Sequence, residues 1–314
     1  PKADAFLRRR WREPHPDAAF AELGELAAHC RALGVRFGVG LSPYELFLDF
    51  TGAAKADFVA KVRALDALGL DDLVILFDDM HGSVRDLAAR EAEIVHAAAA
   101  GTRATRVVMC PTYYSDDRLL DVVFGERPAS FLEALGRALD PRVAVYWTGA
   151  EVCARELAPG PLQRVAEALR RKPMLWDNYP VNDGPRMSRF LHLRGFTGRP
   201  SAIGPCVAGH AINPALQPWL TLLPAATLAA AYRDGDGYCY MAAFREAASA
   251  LAGPLLARML EDDLLALQDR GRERLGDDAA RLRARYAAVD HPMANEVVRW
   301  LDGEYEMARW EIET

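Results

Sequence analysis

Apolar residues recur along this chain in short unbroken runs, separated by longer stretches with helical periodicity. Runs at residues 35–41, 73–77, 106–110, 143–147 and 173–176 read as strands, with a weaker sixth at 209–212. Near-continuous apolar character is what a strand covered on both faces requires, whereas a strand with one wet face alternates. Each of the first five runs leads into a polar or turn-forming group: SP, DDM, PTYY, TG and DN. Helix patterns fill the intervals. In the first, Asp17 is placed to cap, Phe20, Leu23, Ala27 and Cys30 share a face, and Gly34 ends the run. Phe58, Val62 and Leu65 share a face of the second, which breaks at Gly69, and further helices fit residues 84–100, 129–139 and 161–171. Strict alternation of strand and helix predicts a parallel sheet with helices outside it.

Six strands are two short of a (β/α)8 TIM-type barrel, so the first two are expected upstream of Pro1. The competing arrangement is a doubly wound open sheet. No glycine-rich phosphate loop follows any of the strands, which favours the barrel. After about Tyr240 the strand pattern stops. Leu256, Met259, Leu260, Asp263, Leu264 and Leu267 fit a long amphipathic helix, and residues 277–288 and 295–309 read as two more. The expected division is therefore a barrel domain over 1–240 and an α-helical domain over 241–314. Trp300, Leu301, Tyr305 and Trp310 give that helical region an apolar face, to pack on its own barrel or to form a homodimer.

The formal net charge of −6 argues against nucleic acid as a partner. Cys30, Cys110, Cys153, Cys206 and Cys239 are scattered and odd in number, as in a cytoplasmic protein with reduced thiols. Secretion stays open, because the chain starts at Pro1 without a methionine. No apolar run approaches the roughly 20 residues of a membrane helix. His192 and His210 lack metal-ligand spacing, and neither a metal nor another cofactor is expected.

The most distinctive polar pair is Asp78–Asp79, where the strand at 73–77 gives way to a loop. Neighbouring side chains within a strand point to opposite faces, but a turn at its end can bring both to one cleft. Two carboxylates held close do not ionise equally, which suits one to act as an acid while the other stays charged. Glycosidic cleavage needs that division. A helix cap or a divalent-ion site is equally compatible with the pair alone. The other strand ends bring Ser42, His81, Thr112, Tyr113, Tyr114, Thr148, Glu151, Asp177, Asn178, Asn182, Asp183 and Asn213, with Trp147, Trp176 and Tyr179 among them. Aromatic rings beside amides and carboxylates suit a sugar, which offers a C–H face and hydroxyls that both donate and accept.

Five segments in register carry a resemblance: FDDM at 77–80, CPTYY at 110–114, YWTGAEV at 146–152, LWDNYPVND at 175–183 and INP at 212–214. Together with the opening PKADAF and RWREPHP, they resemble the catalytic domain of β-N-acetylglucosaminidases of glycoside hydrolase family 84, the family of protein O-GlcNAcases, from Pro1 to about Tyr232. The resemblance implies a retaining, substrate-assisted hydrolase in which the sugar's own acetamido oxygen attacks the anomeric carbon. It implies that Asp78 orients the acetamido group and that Asp79 is the general acid and base. It further implies that Tyr114 steadies the acetamido group and that Cys110 and Trp176 line its pocket. By the same resemblance, Asn178 would lie near the reacting centre, Asp183 would grip two hydroxyls, and Asn213 and Lys2 would contact others. The substrate is expected to be an O-GlcNAc-modified protein. A GlcNAc-containing glycan cleaved by a hexosaminidase is the alternative, and a carbohydrate-binding protein without catalysis is the reading from another class. The family's first-strand glycine has no counterpart in this chain.

Overall fold

The computed structural model describes residues 4–307. All six predicted strands form: β1 (Gly38–Leu41), β2 (Asp72–Leu76), β3 (Arg106–Cys110), β4 (Ala144–Trp147), β5 (Met174–Asp177) and β6 (Gly209–Ile212). They make one sheet in chain order, and β1 to β5 pair in parallel. The run at 35–41 becomes a strand only from Gly38, because Val35 is exposed and Arg36 turns to the Asp72 carboxylate instead. Arg106 pairs with the same carboxylate. Burial works to raise the Asp72 pKa, and the two guanidiniums outweigh it, holding the group below the ordinary value.

Helices α1 (Asp17–Ala32), α2 (Gly52–Asp66), α3 (Leu87–Gly101), α4 (Leu119–Phe124), α5 (Phe131–Ala138) and α6 (Pro159–Leu169) precede or connect the strands, and α7 (Pro218–Asp234) follows β6. Asp17 begins α1 rather than capping it. Pro16 takes the cap position, and the Asp17 carboxylate sits in the first turn, where the helix dipole favours it. Gly34, with φ of 67°, turns the chain after α1.

The chain forms two compact units. One comprises residues 1–152, 160–175 and 206–209, and the other residues 153–159, 176–205 and 210–314. In the first, Phe58, Val62 and Leu65 of α2 are fully buried, as are Leu73 and Ile75 of β2, Ile94 and Val95 of α3 and Met109 of β3. Burying each such side chain contributes about 1.5–3 kcal/mol, so the apolar strands and the inward helix faces supply the stability of this unit.

In the second unit α7 shares its core with α8 (Tyr240–Asp262), α9 (Asp278–Ala287) and α10 (Pro292–Leu301). Leu220, Leu223, Phe244, Leu256, Leu260, Leu267, Tyr286, Val297 and Trp300 form one cluster with Leu191 and Leu193. Trp300 is wholly inside it and donates its indole N–H to the Ser188 carbonyl at 3.1 Å. That residue is thus not part of an outer contact face. Leu301 and Tyr305 pack against the same core, and Trp310 lies outside the described residues. The helix predicted from residue 295 starts at Pro292, since proline suits a first helical position, and the His291 side chain accepts from the Met293 N–H. The long helix α8 breaks at Gly253, whose φ of 73° lies outside the helical region.

Candidate active site

The end of β2 sets the geometry of the aspartate pair. Phe77 extends the ladder one step, donating its N–H to the Cys110 carbonyl at 2.9 Å. The backbone then turns at Asp79, which has φ of 57°. This left-handed conformation is one that aspartate tolerates better than most residues, and it breaks the strand's alternation between faces. Both aspartates are half-buried, and Asp78 Oδ1 and Asp79 Oδ2 are sealed from water. His81 is exposed just beyond them.

The turn is anchored by a residue that the sequence did not single out. Arg8 donates from Nη2 to the Asp79 carbonyl at 3.3 Å and from Nη1 to Ser42 Oγ at 3.0 Å. Ser42, fully buried past the end of β1, in turn donates its N–H to the Leu7 carbonyl at 2.8 Å. Nothing distinguishes Arg8 from Arg9, Arg10 and Arg12 along the chain, and a run of arginines reads as solvated charge.

The neighbouring CPTYY segment sorts its side chains by role. Cys110 ends β3 and is buried. Thr112 is buried and fastened to Glu91 of α3. Tyr113 is buried, donates its hydroxyl to the Gly125 carbonyl at 2.6 Å and packs edge-on against Phe131. Burial pushes its phenol up to about 12. Tyr114 is half-buried, with its ring 6.4 Å from that of Phe124. Its carbonyl accepts from the Thr148 N–H at 2.9 Å, and the next residue, Ser115, donates its hydroxyl to the Gly149 carbonyl. The TG turn after β4 thus fixes the backbone at Tyr114, while Glu151 is exposed. Trp147, grouped by sequence with the strand-end aromatics, is a core residue only 1% exposed, since it lies within β4 and not beyond it.

The second unit carries Trp176, Asp177, Asn178, Asp183 and Asn213. Asn178 Oδ1 accepts from Trp176 Nε1 at 3.1 Å and from Asn213 Nδ2 at 3.0 Å. Two donors on one oxygen fix which way the Asn178 amide faces. Between Trp176 and Asn178, Asp177 points into the interior, where Arg199 meets it with two bonds of 2.8 Å. His210 Nε2 lies 3.0 Å from Asp177 Oδ2, and Tyr232 bonds to His210 Nδ1. Burial works to raise the Asp177 pKa, and the bonds from Arg199 and His210 more than offset it, so the carboxylate is held below its ordinary range. Asp177 and His210 are therefore structural partners here. Tyr179 and Asn182 are likewise engaged, with the Arg194 carbonyl and with Gln217. Asp183 is half-buried in the loop after β5, and Lys2 lies outside the described residues.

Among the described residues, no three His, Cys, Asp or Glu side chains group as a metal site, and no helix is long and apolar enough to cross a membrane. A cavity of about 350 Å³ bounded by His15, Phe20, Lys61 and Leu65 includes none of the strand-end candidates.

The sequence pattern of the beta-N-acetylglucosaminidase family matches residues 1–268. The chain belongs to this family. Among relatives, the protein O-GlcNAcases of Rattus norvegicus and Mus musculus are each 26% identical over 229 residues, covering 68% of this chain and 24% of their own. The chain thus spans about a quarter of the length of those relatives. A variant of the Thermobaculum terrenum O-GlcNAc hydrolase matches 97% of this chain and 73% of its own, with a TM-score of 0.76 and 24% identity. CpGH84B matches 98% and 60%, with a TM-score of 0.72 and 20% identity. These likenesses establish the fold of this family member: six parallel strands of a (β/α)8 barrel, followed by helices.

Proposed function

We propose that the protein is a retaining β-N-acetylglucosaminidase that removes O-linked GlcNAc from serine or threonine of proteins. The observation that carries the reading is the left-handed turn at Asp79, directly after Asp78 at the end of β2, with both residues partly buried. Membership of the beta-N-acetylglucosaminidase family supports the reaction class, and the named activity of the rat and mouse relatives supports the protein-linked substrate.

In the proposed reaction, the acetamido carbonyl oxygen of the sugar attacks the anomeric carbon. Asp78 accepts the hydrogen bond of the acetamido N–H and stabilises the positive charge that develops as the oxazoline forms. Asp79 protonates the departing serine or threonine oxygen and then takes a proton from the water that reopens the ring. Tyr114 steadies the acetamido group, and Cys110 and Trp176 line its pocket. The resemblance assigns Asn178 a place near the reacting centre, and contacts to sugar hydroxyls to Asp183, Asn213 and Lys2. Five free thiols support a reducing compartment such as the cytoplasm.

The mechanism is tested with substrates whose acetyl group carries one, two or three fluorines. Each fluorine makes the carbonyl oxygen a poorer nucleophile, so kcat should fall steeply along the series. Rates independent of fluorination would exclude attack by the substrate's own carbonyl.

A further inference from the structure

The inward face of α3 is apolar except at one position. Leu87, Ala88, Ala92, Ile94, Val95 and Ala98 are buried there, and so is Glu91, with no exposure at all. Glu91 Oε1 accepts from the Thr112 N–H at 3.1 Å and lies 2.7 Å from Thr112 Oγ1. Thr112 Oγ1 is also 3.2 Å from the Phe77 carbonyl. The hydroxyl has one proton and faces two acceptors. A proton on Glu91 resolves this: Glu91 donates to Thr112 Oγ1, and Thr112 donates to the Phe77 carbonyl. Burial acts in the same direction, pushing the Glu91 carboxyl up to about 8.

The ends of this relay are informative. Phe77 immediately precedes Asp78 and Asp79, and Thr112 lies two residues before Tyr114. We propose that Glu91 is a positioning residue that, through Thr112, locks the aspartate-bearing end of β2 to the loop carrying Tyr114. A leucine would continue the apolar face of α3 without the cost of burying a carboxyl, but it would leave the buried Thr112 N–H and hydroxyl without their partner on α3, so that Thr112 would be held less firmly against Phe77. This inference rests on the hydrolase reading above and adds a residue that touches no substrate.

The test compares Glu91→Gln, Glu91→Ala and Thr112→Val with the wild type in the full-length protein. Two substrates are used, the 4-nitrophenyl glycoside and a GlcNAc-serine peptide, with kcat and KM referred to the folded fraction from thermal melts. The peptide's poor leaving group depends on a well-placed acid far more than nitrophenol does. Loss of the tie should lower kcat on the peptide roughly tenfold or more, with a smaller loss on nitrophenol and little change in KM. Glu91→Gln, which keeps an acceptor for the Thr112 N–H, should retain most activity. Should Glu91→Ala fail to fold, Thr112→Val decides, because it removes only the hydroxyl. An active wild type whose Ala and Val variants keep the same kcat and the same ratio between substrates would overturn this inference alone. A folded wild type without turnover on either substrate would overturn the hydrolase reading as well.

Discussion

Arg8 reaches across 71 positions of sequence to the backbone of Asp79, donating to its carbonyl at 3.3 Å. The bond clamps a left-handed turn at the residue assigned as acid and base. The same guanidinium holds Ser42 past the end of β1, so one side chain fixes two adjacent strand ends.

Replacing Arg8 by alanine should therefore act on the chemistry more than on binding. A hydrogen bond from a charged donor contributes about 1.5–3 kcal/mol, so kcat should drop by roughly ten- to a hundredfold with KM nearly unchanged. Steady-state kinetics of Arg8→Ala and Arg8→Lys check this, and the lysine variant should recover only part of the rate because it cannot reach both acceptors in a fixed fork.

The Asp177–Arg199 pair is almost fully buried, with side-chain exposures of 2% and 4%. Removing one partner strands the other charge, so Arg199→Leu should lose about 3–5 kcal/mol of stability. Urea unfolding measures the loss. The wild-type pair also has a defined pH signature. The folded Asp177 pKa lies below the ordinary value of 3.8, so its contribution is complete above that value. It disappears as the pH falls below 3.8 through the depressed folded value.

Glu91 titrates in the opposite sense. Its folded pKa is about 8 against an ordinary 4.5. Between those values the folded protein keeps a proton that the unfolded chain has released, so stability declines as pH rises from 4.5 to about 8 and then levels off. Its ionisation also bears on the adjacent phenol of Tyr113. Glu91→Gln cannot ionise, and its stability relative to wild type should rise from pH 5 to pH 8 in urea titrations. An unchanged difference between the two proteins at those pH values would show that Glu91 is ionised in the folded state.

Gly82 lies where a Cβ would fall 2.4 Å from the Tyr113 hydroxyl oxygen. That ring cannot retreat easily, being tied to Gly125 and packed on Phe131. Gly82→Ala should destabilise by about 1–3 kcal/mol, and combining it with Tyr113→Leu should cost less than the sum of the two single changes. Thermal melts of the four proteins give the coupling directly.

The strands were legible because burial on both faces leaves a run such as LVIL with no polar interruption, and all six form. The start of the first was not, since Val35 is as apolar as Val39 yet lies exposed before the sheet begins. Helix starts depended on local backbone detail: Asp17 resembles a cap, but the chain enters through Pro16. Asp78 and Asp79 stood out because two carboxylates directly follow an apolar strand. Arg8 and Arg199 did not, because their partners lie 71 and 22 positions away, and an arginine looks the same whether buried or exposed. Glu91 was not singled out, and its tie to Thr112 appears only when α3 meets the loop after β3. Trp147 was misplaced because an aromatic at a strand end reads alike in core and cleft.

Asp79 is the proposed acid and base of a β-N-acetylglucosaminidase. The most direct measurement is turnover of a GlcNAc-serine peptide and of 4-nitrophenyl N-acetyl-β-glucosaminide by the full-length protein and its Asp79→Asn variant, with folding of both verified. The account predicts that wild type cleaves both substrates. It predicts that the variant loses roughly 10²–10⁴-fold in kcat on the peptide and much less on the nitrophenyl glycoside, which needs little help from an acid. Equal rates for the two proteins on the peptide would contradict it.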